Sequence, residues 1–378
     1  MRLNPLLAIP LLFGTATLSA AEVHVYFGTY TQGTTSQGIY HARLDLATGA
    51  LSTPTVAAEA VNPAFLAIHP QQKFLYAVNE IADVGGKPTG SVTAFSINRQ
   101  TGALTPLNSQ PTGGTGPCHL NVDRSGQTLL VANYGGGSVS SLKIEPNGHL
   151  SPPVSTIQHH GTSVDASRQQ APHAHSINID PANRFAFVAD LGLDKILVYR
   201  LDEDRATLTP HNPPSTHLAP GSGPRHFAFR PDARFAYVIN EMKSTITAFQ
   251  YNPSIGTLAD IQTVSTLPTD FVGNNSTAEI VVHPSGKFLY GSNRGHDSLA
   301  IFQIDAISGK LTPSGHQLTG GKTVRNFAIE PSGLFLIAEN QDSDNVQVFR
   351  IGAAGELTTA GGLMTVPKPV CARFVQLP

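Results

Sequence analysis

The segment Pro224-Arg-His-Phe-Ala-Phe-Arg-Pro-Asp-Ala-Arg-Phe-Ala-Tyr-Val-Ile-Asn240-Glu241 decides the fold. It reads as two apolar strands around an Arg-Pro-Asp-Ala-Arg turn, closed by an Asn. Pro63-Ala-Phe-Leu-Ala-Ile-His-Pro-Gln-Gln-Lys-Phe-Leu-Tyr-Ala-Val-Asn79-Glu80 follows the same plan. The closing Asn or Asp recurs at Asn79, Asn133, Asp190, Asn240, Asn293 and Asn340, at intervals of 54, 57, 50, 53 and 47 residues. Repeats of roughly 40–50 residues mark an array or a propeller.

Each unit continues into a third strand, such as Ser138–Ile144 or Thr245–Tyr251. A turn and a Leu-Thr/Ser-Pro stretch follow, as in Gly102-Ala-Leu-Thr-Pro106 and Gly309-Lys-Leu-Thr-Pro313, then a fourth, more variable strand. Four antiparallel strands per unit predict a propeller blade. The chain ends complement one another. Glu22–Tyr30 and Gly38–Leu44 supply a unit that lacks its first strand, and Pro369–Val375 reads as that missing strand. The expectation is an all-β, seven-bladed β-propeller whose ring is closed by the C-terminal strand, with residues 22–378 as one domain.

The bulk composition agrees. The 378 residues include 35 Gly and 28 Pro, charged residues are only 13%, and the formal net charge is −2. No basic excess is available to neutralise phosphates, so a nucleic-acid partner is not expected. Arg2, the apolar run Leu6–Leu18 and the small residues Ser19-Ala20-Ala21 have the layout of a secretory signal peptide. This predicts cleavage after Ala21, a periplasmic or secreted mature protein, and no membrane partner after cleavage. The two cysteines, Cys118 and Cys371, lie in first strands of units that are not neighbours, which favours buried free thiols over a disulfide.

Polar residues break the repeat in two columns. The first position of the first strand holds Ala64, Cys118, His175, Arg225, Ala278, Arg325 and Val370. The residue after the closing Asn/Asp is Glu80, Tyr134, Leu191, Glu241, Arg294 or Gln341, always 16 positions later. A hairpin returns to the end where it began. His175, Arg225, Glu241, Arg294 and Arg325 should therefore meet at one mouth of the channel. Any one of them could equally be a structural ion-pair member. Arg suits bidentate capture of a carboxylate or phosphate. Pro172-His-Ala-His175 would place His173 and His175 on one face of a strand. Two histidines alone do not complete a metal site, so no metal or cofactor is expected. Gly135-Gly-Gly137 precedes a strand rather than a helix and reads as a hairpin turn.

Taken together, Tyr26-Phe-Gly-Thr-Tyr-Thr31, Asn133-Tyr-Gly-Gly-Gly-Ser-Val139, Pro172-His-Ala-His175, Gly223-Pro-Arg-His226, Asn240-Glu241, Ser292-Asn-Arg-Gly-His-Asp-Ser298 and Arg325-Asn-Phe327 resemble the seven-bladed propeller lactonases. That family includes propeller-type 6-phosphogluconolactonases and carboxy-cis,cis-muconate cyclising enzymes. The resemblance implies a small-molecule lactone substrate and a His, two Arg and a Glu as catalytic groups. By motif these fall on His173 or His175, Arg225, Glu241 and Arg294. His119, His226, Arg325, Asn326 and Glu80 are the expected substrate-binding residues. The reaction expected is metal-independent hydrolysis of a sugar-type lactone. Cyclisation of a muconate-type lactone, a metal-dependent lactonase and a non-catalytic exported propeller binding an anion, glycan or protein are the rival readings.

Overall fold

The computed structural model describes residues 22–377. The expected signal peptide, residues 1–21, lies outside the described residues. Seven four-stranded antiparallel sheets form the blades. The first blade has the order Pro369–Gln376, Glu22–Thr29, Gly38–Asp45, Thr55–Glu59. Its C-terminal strand pairs with the N-terminal one from Val23↔Gln376 to Thr29↔Pro369. The ring is therefore closed by hydrogen bonds between the two ends of the chain, as the sequence predicts. Among the described residues the only helical segment is the short 3₁₀ turn Gln341–Ser343. No helix there is long and apolar enough to cross a membrane.

Burial follows position within a blade. The second strand Phe235–Asn240 is buried at every residue because neighbouring blades cover both its faces. The fourth strand Leu150–Gln158 alternates between more buried and more exposed residues, since one of its faces meets water. Tyrosines in second strands tie blades together. Tyr26, Tyr76, Tyr237 and Tyr290 each donate to the carbonyl of a turn glycine in the next blade, Gly102, Gly148, Gly309 and Gly355. The closing Asn/Asp column is buried and bonded. Asn240 Nδ2 donates to Thr245 and Thr247, and Asp190 accepts from the backbone of His173 and Gly192. Each such residue fixes where its hairpin ends.

One regularity is absent from the repeat as read. At the first position of the inner strand the ladder slips. Pro224 pairs with Asn240 and His226 with Ile239, leaving Arg225 as the extra residue of a β-bulge. The same slip isolates Cys118, His175, Arg325 and Val370. In the blade that begins at Ser276 it leaves Ala278 and Glu279 between the pairs Thr277↔Asn293 and Ile280↔Gly291. A bulge sets two residues against one and re-aims side chains. Here Arg225 and His226 both line the channel, as do Arg325 and Asn326, where a regular strand would turn alternate residues away.

Candidate functional site in the propeller channel

The 16-residue offset brings its two columns together. Arg225 Nε donates to Glu241 Oε2 at 3.0 Å, and Arg294 Nη2 lies 3.0 Å from the same oxygen. His175 Nε2 is 3.8 Å from it. Arg225 also donates to the Ala278 carbonyl and Arg294 to the Thr277 carbonyl, so the backbone of the inner strand Ser276–Val282 holds both guanidiniums in place. A third arginine completes the cluster. Arg168 Nη2 donates to Glu241 Oε1 at 2.8 Å and to the Tyr134 hydroxyl. Arg225, Glu241 and His175 are buried, whereas the Arg168 side chain is 42% exposed and forms the solvent side of the cluster.

Beside this cluster, Tyr30 bridges Glu80 and Arg325. Its hydroxyl donates to Glu80 Oε2 at 2.8 Å and accepts from Arg325 Nη2 at 2.8 Å. The Arg325 guanidinium also lies over the Tyr30 ring. His173 requires a correction. The inner strand begins at Ala174, so His173 lies in its lead-in, and the bulge at His175 breaks the alternation that would place both on one strand face. Both rings instead share Tyr134 as a neighbour: His173 stacks on it and His175 approaches it edge-on.

The remaining candidates lie one layer deeper. His226 Nδ1 is 2.8 Å from Glu279 Oε1, and the Asn326 side-chain amide donates to Glu279 Oε2. His119, Phe65 and His226 pack as a triangle of rings. His226 and Phe65 line both a small void of about 10 Å³ at the arginine layer and a chamber of about 450 Å³ beyond it. They form the partition between the two.

Electrostatics assigns different states to these groups. Burial alone would raise the Glu241 carboxyl, but Arg294, Arg225 and Arg168 outweigh it and hold the pKa at about 2. Burial pushes His175 well below the usual histidine range, and Arg225, His226 and Arg325 add to the shift. The same burial, with Arg225 and Arg325 opposing the charge, brings Arg294 down to about 9. Near neutral pH the cluster is an ionised carboxylate under three guanidiniums beside a neutral imidazole. Cys118 and Cys371 are free and buried, as expected. Cys118 Sγ donates to the His175 carbonyl at 3.2 Å, which seats the histidine from behind. Among the described residues no group of three or more His, Cys, Asp or Glu side chains is arranged to hold a metal ion.

Sequence reading missed Arg168, Tyr30 and Glu279 as members of these layers. Arg168 lies in the segment that makes the 57-residue interval the longest of the five, a signal of inserted residues. Tyr30 stands in the Tyr26–Thr31 motif. Glu279 occupies the column one place after the first, which the bulge also turns inward.

The family model for "Lactonase, 7-bladed beta-propeller" matches residues 24–374. A 6-phosphogluconolactonase of Bacillus subtilis is 38% identical over 351 residues, which cover 93% of this chain and 97% of that protein. A 6-phosphogluconolactonase of Formosa agariphila is 33% identical over 80% of this chain and 85% of its own length. The solved structure of a periplasmic gluconolactonase from Pseudomonas aeruginosa superposes with a TM-score of 0.88 and 33% identity, covering 95% of this chain and all of that one (100%).

Proposed function

The chain belongs to the seven-bladed β-propeller lactonase family, and from that premise we propose that it hydrolyses a sugar-type lactone, 6-phosphogluconolactone-like or an aldonolactone, at the channel mouth formed by Arg168, Arg225, Glu241, Arg294 and His175. The observation that carries this reading is the convergence of three guanidiniums and an imidazole on the buried Glu241 carboxylate. Lactone hydrolysis develops negative charge on the carbonyl oxygen, and preorganised cations stabilise it. Arg168, Arg225, Arg294 and Arg325 bring four positive charges against the carboxyl groups of Glu241 and Glu80. That excess suits an oxyanion, the carboxylate product and any anionic substituent.

His175 is the base in this reading. Neutral at working pH, it accepts a proton from water as the water oxygen adds to the ring carbonyl. It returns the proton to the ring oxygen when the C–O bond breaks. Glu241 is too weak a base to compete, and its role is to hold the arginines in register. His173 and Tyr134 form the outer wall. No metal takes part in these steps, and the rim side chains supply the whole charge balance. The N-terminal layout and the periplasmic Pseudomonas relative both support an exported enzyme. The test is turnover of 6-phosphogluconolactone and glucono-1,5-lactone by the purified protein and its His175→Ala variant, above spontaneous hydrolysis and with and without chelator. Unchanged turnover in the variant removes His175 from the mechanism, and loss with chelator removes metal independence.

A further inference from the structure

The 450 Å³ chamber beyond the partition is within the size range of small-molecule sites. Its wall is made by the far halves of the inner strands, and half-exposed Asn121, Asn178 and Arg373 mark the side that faces water. Two histidines of opposite hydrogen-bonding character meet there. The Glu279 carboxylate faces His226 Nδ1, so Nδ1 carries the proton and Nε2 keeps a lone pair. The Ile177 backbone N–H donates to His119 Nδ1 at 3.3 Å, so His119 carries its proton on Nε2. Neither Nε2 has a hydrogen-bond partner among the described residues. The rings lie 5.2 Å apart, edge to face.

The dyad is held on every side. Glu279 accepts from His226, from the Asn326 amide and from the Ile280 backbone. Asn326 Oδ1 in turn accepts from the Ala372 backbone. Phe65 touches His119 and also carries the Arg373 guanidinium, whose carbon is 4.5 Å from the ring centroid. A buried imidazole oriented by a carboxylate, with its second nitrogen free beside a cavity, is the arrangement of a general base. Burial lowers both imidazoles, His119 well below its ordinary value, so each is neutral near pH 7. Arg373 lies beside Glu279, and burial raises the pKa of the Glu339 carboxyl well above the usual range.

We propose that this chamber is a second hydrolytic site, independent of the arginine cluster, in which the Glu279–His226 dyad activates water against an uncharged cyclic ester. His226 Nε2 takes a proton from water while the water oxygen bonds to the carbonyl carbon. The carbonyl electron pair moves onto its oxygen, which accepts a hydrogen bond from His119 Nε2–H. Collapse of the adduct breaks the ring C–O bond, and the proton on His226 Nε2 passes to the departing alkoxide. Lactone and water give a hydroxy acid with no other reactant. Glu279 remains ionised and stabilises the transient imidazolium.

The experiment compares uncharged glucono-1,5-lactone with 6-phosphogluconolactone on the full chain. In a His175→Ala background, which silences the arginine mouth, His226→Ala should lose the remaining turnover of the uncharged lactone by ~10²–10⁴-fold, the usual worth of a positioned base; in the wild-type background it should lower that turnover more than turnover of the phosphorylated one. Added imidazole should restore part of the lost rate. Glu279→Gln preserves side-chain shape, guards against a folding artefact, and should lower the same activity. The proposal is overturned if the wild type does not accelerate the uncharged lactone, if His226→Ala leaves its turnover unchanged, or if imidazole fails to rescue a folded variant. Equal loss on both lactones also overturns it, since one site would then serve both. The reading of the arginine mouth fails on a different result, insensitivity of 6-phosphogluconolactone turnover to His175→Ala.

Discussion

Arg225 and Glu241 stand 16 residues apart in sequence, and their side chains meet at 3.0 Å in the buried channel layer. The hairpin between them sets that separation, and the bulge at Arg225 turns the guanidinium inward. Arg294 from the next blade and Arg168 from the loop between Gln158 and Ala174 then share the same carboxylate.

Removing the shared anion should therefore be costly. Glu241→Gln leaves buried guanidiniums without a countercharge, and breaking a buried pair in this way costs about 3–5 kcal/mol. Urea denaturation should show that loss, and turnover of 6-phosphogluconolactone should fall by ~10²-fold or more. A variant as stable as the wild type would mean the arginines do not depend on Glu241.

Glu241 and His41 are among the groups that should make the fold sensitive to acid. Glu241 has a folded pKa of about 2, below the ordinary 4.5, so its stabilisation is complete above pH 4.5 and is lost as pH falls towards 2. The difference corresponds to ~3 kcal/mol. His41 is lowered to about 4 by burial, then by His24 and Arg43. Its ring meets His24 at 2.8 Å in the blade that joins the chain ends. The unfolded chain takes up this proton first, so that stabilisation is present above pH 6.5 and is lost as pH falls towards 4. Urea midpoints measured from pH 7 to pH 3 should decline in both windows. His41→Gln should make the upper decline shallower, and an unchanged upper slope would exclude His41 as a contributor.

The loop carrying Arg168 and His173 depends on one close approach. A Cβ on Gly192 would lie 1.9 Å from the Ala171 carbonyl oxygen. Gly192→Ala must displace the Ala171–His173 backbone, and overpacking of this kind costs about 1–3 kcal/mol. We expect a higher KM for the lactone and a modestly lower Tm. Wild-type kinetics in a folded variant would separate this loop from substrate binding.

Tyr30→Phe removes the hydroxyl that Glu80 and Arg325 share. Leaving half-buried partners unsatisfied costs up to about 1–3 kcal/mol. The drop should be visible in chemical denaturation, together with weaker binding of anionic lactones. Equal stability of the two proteins would show that Glu80 and Arg325 pair directly when the hydroxyl is gone.

Much of this molecule was legible in the linear chain. The recurrence of the closing Asn/Asp gave the blades, because a buried polar residue must end every hairpin in the same way. The complementary chain ends gave the ring closure. The constant 16-residue offset grouped Arg225, Glu241, His175 and Arg294, because an antiparallel hairpin returns to its own starting end. Two features escaped that reading. Arg168 reaches Glu241 from a long loop with no repeat register, so no spacing rule could place it. The bulges shift which residues face inward without changing residue count between columns.

The sequence by itself determined the blade count, the closure and the grouping of His175, Arg225, Glu241, Arg294 and Arg325, since these depend on periodicity and strand direction. Only the tertiary structure decided that Arg225 and His226 both enter the channel, that Tyr30 joins Glu80 to Arg325, and that the channel is divided into an arginine layer and a deeper chamber. The physical reason is that a β-bulge breaks the two-residue alternation of a strand, and contacts between blades are set by side-chain packing that no linear spacing encodes.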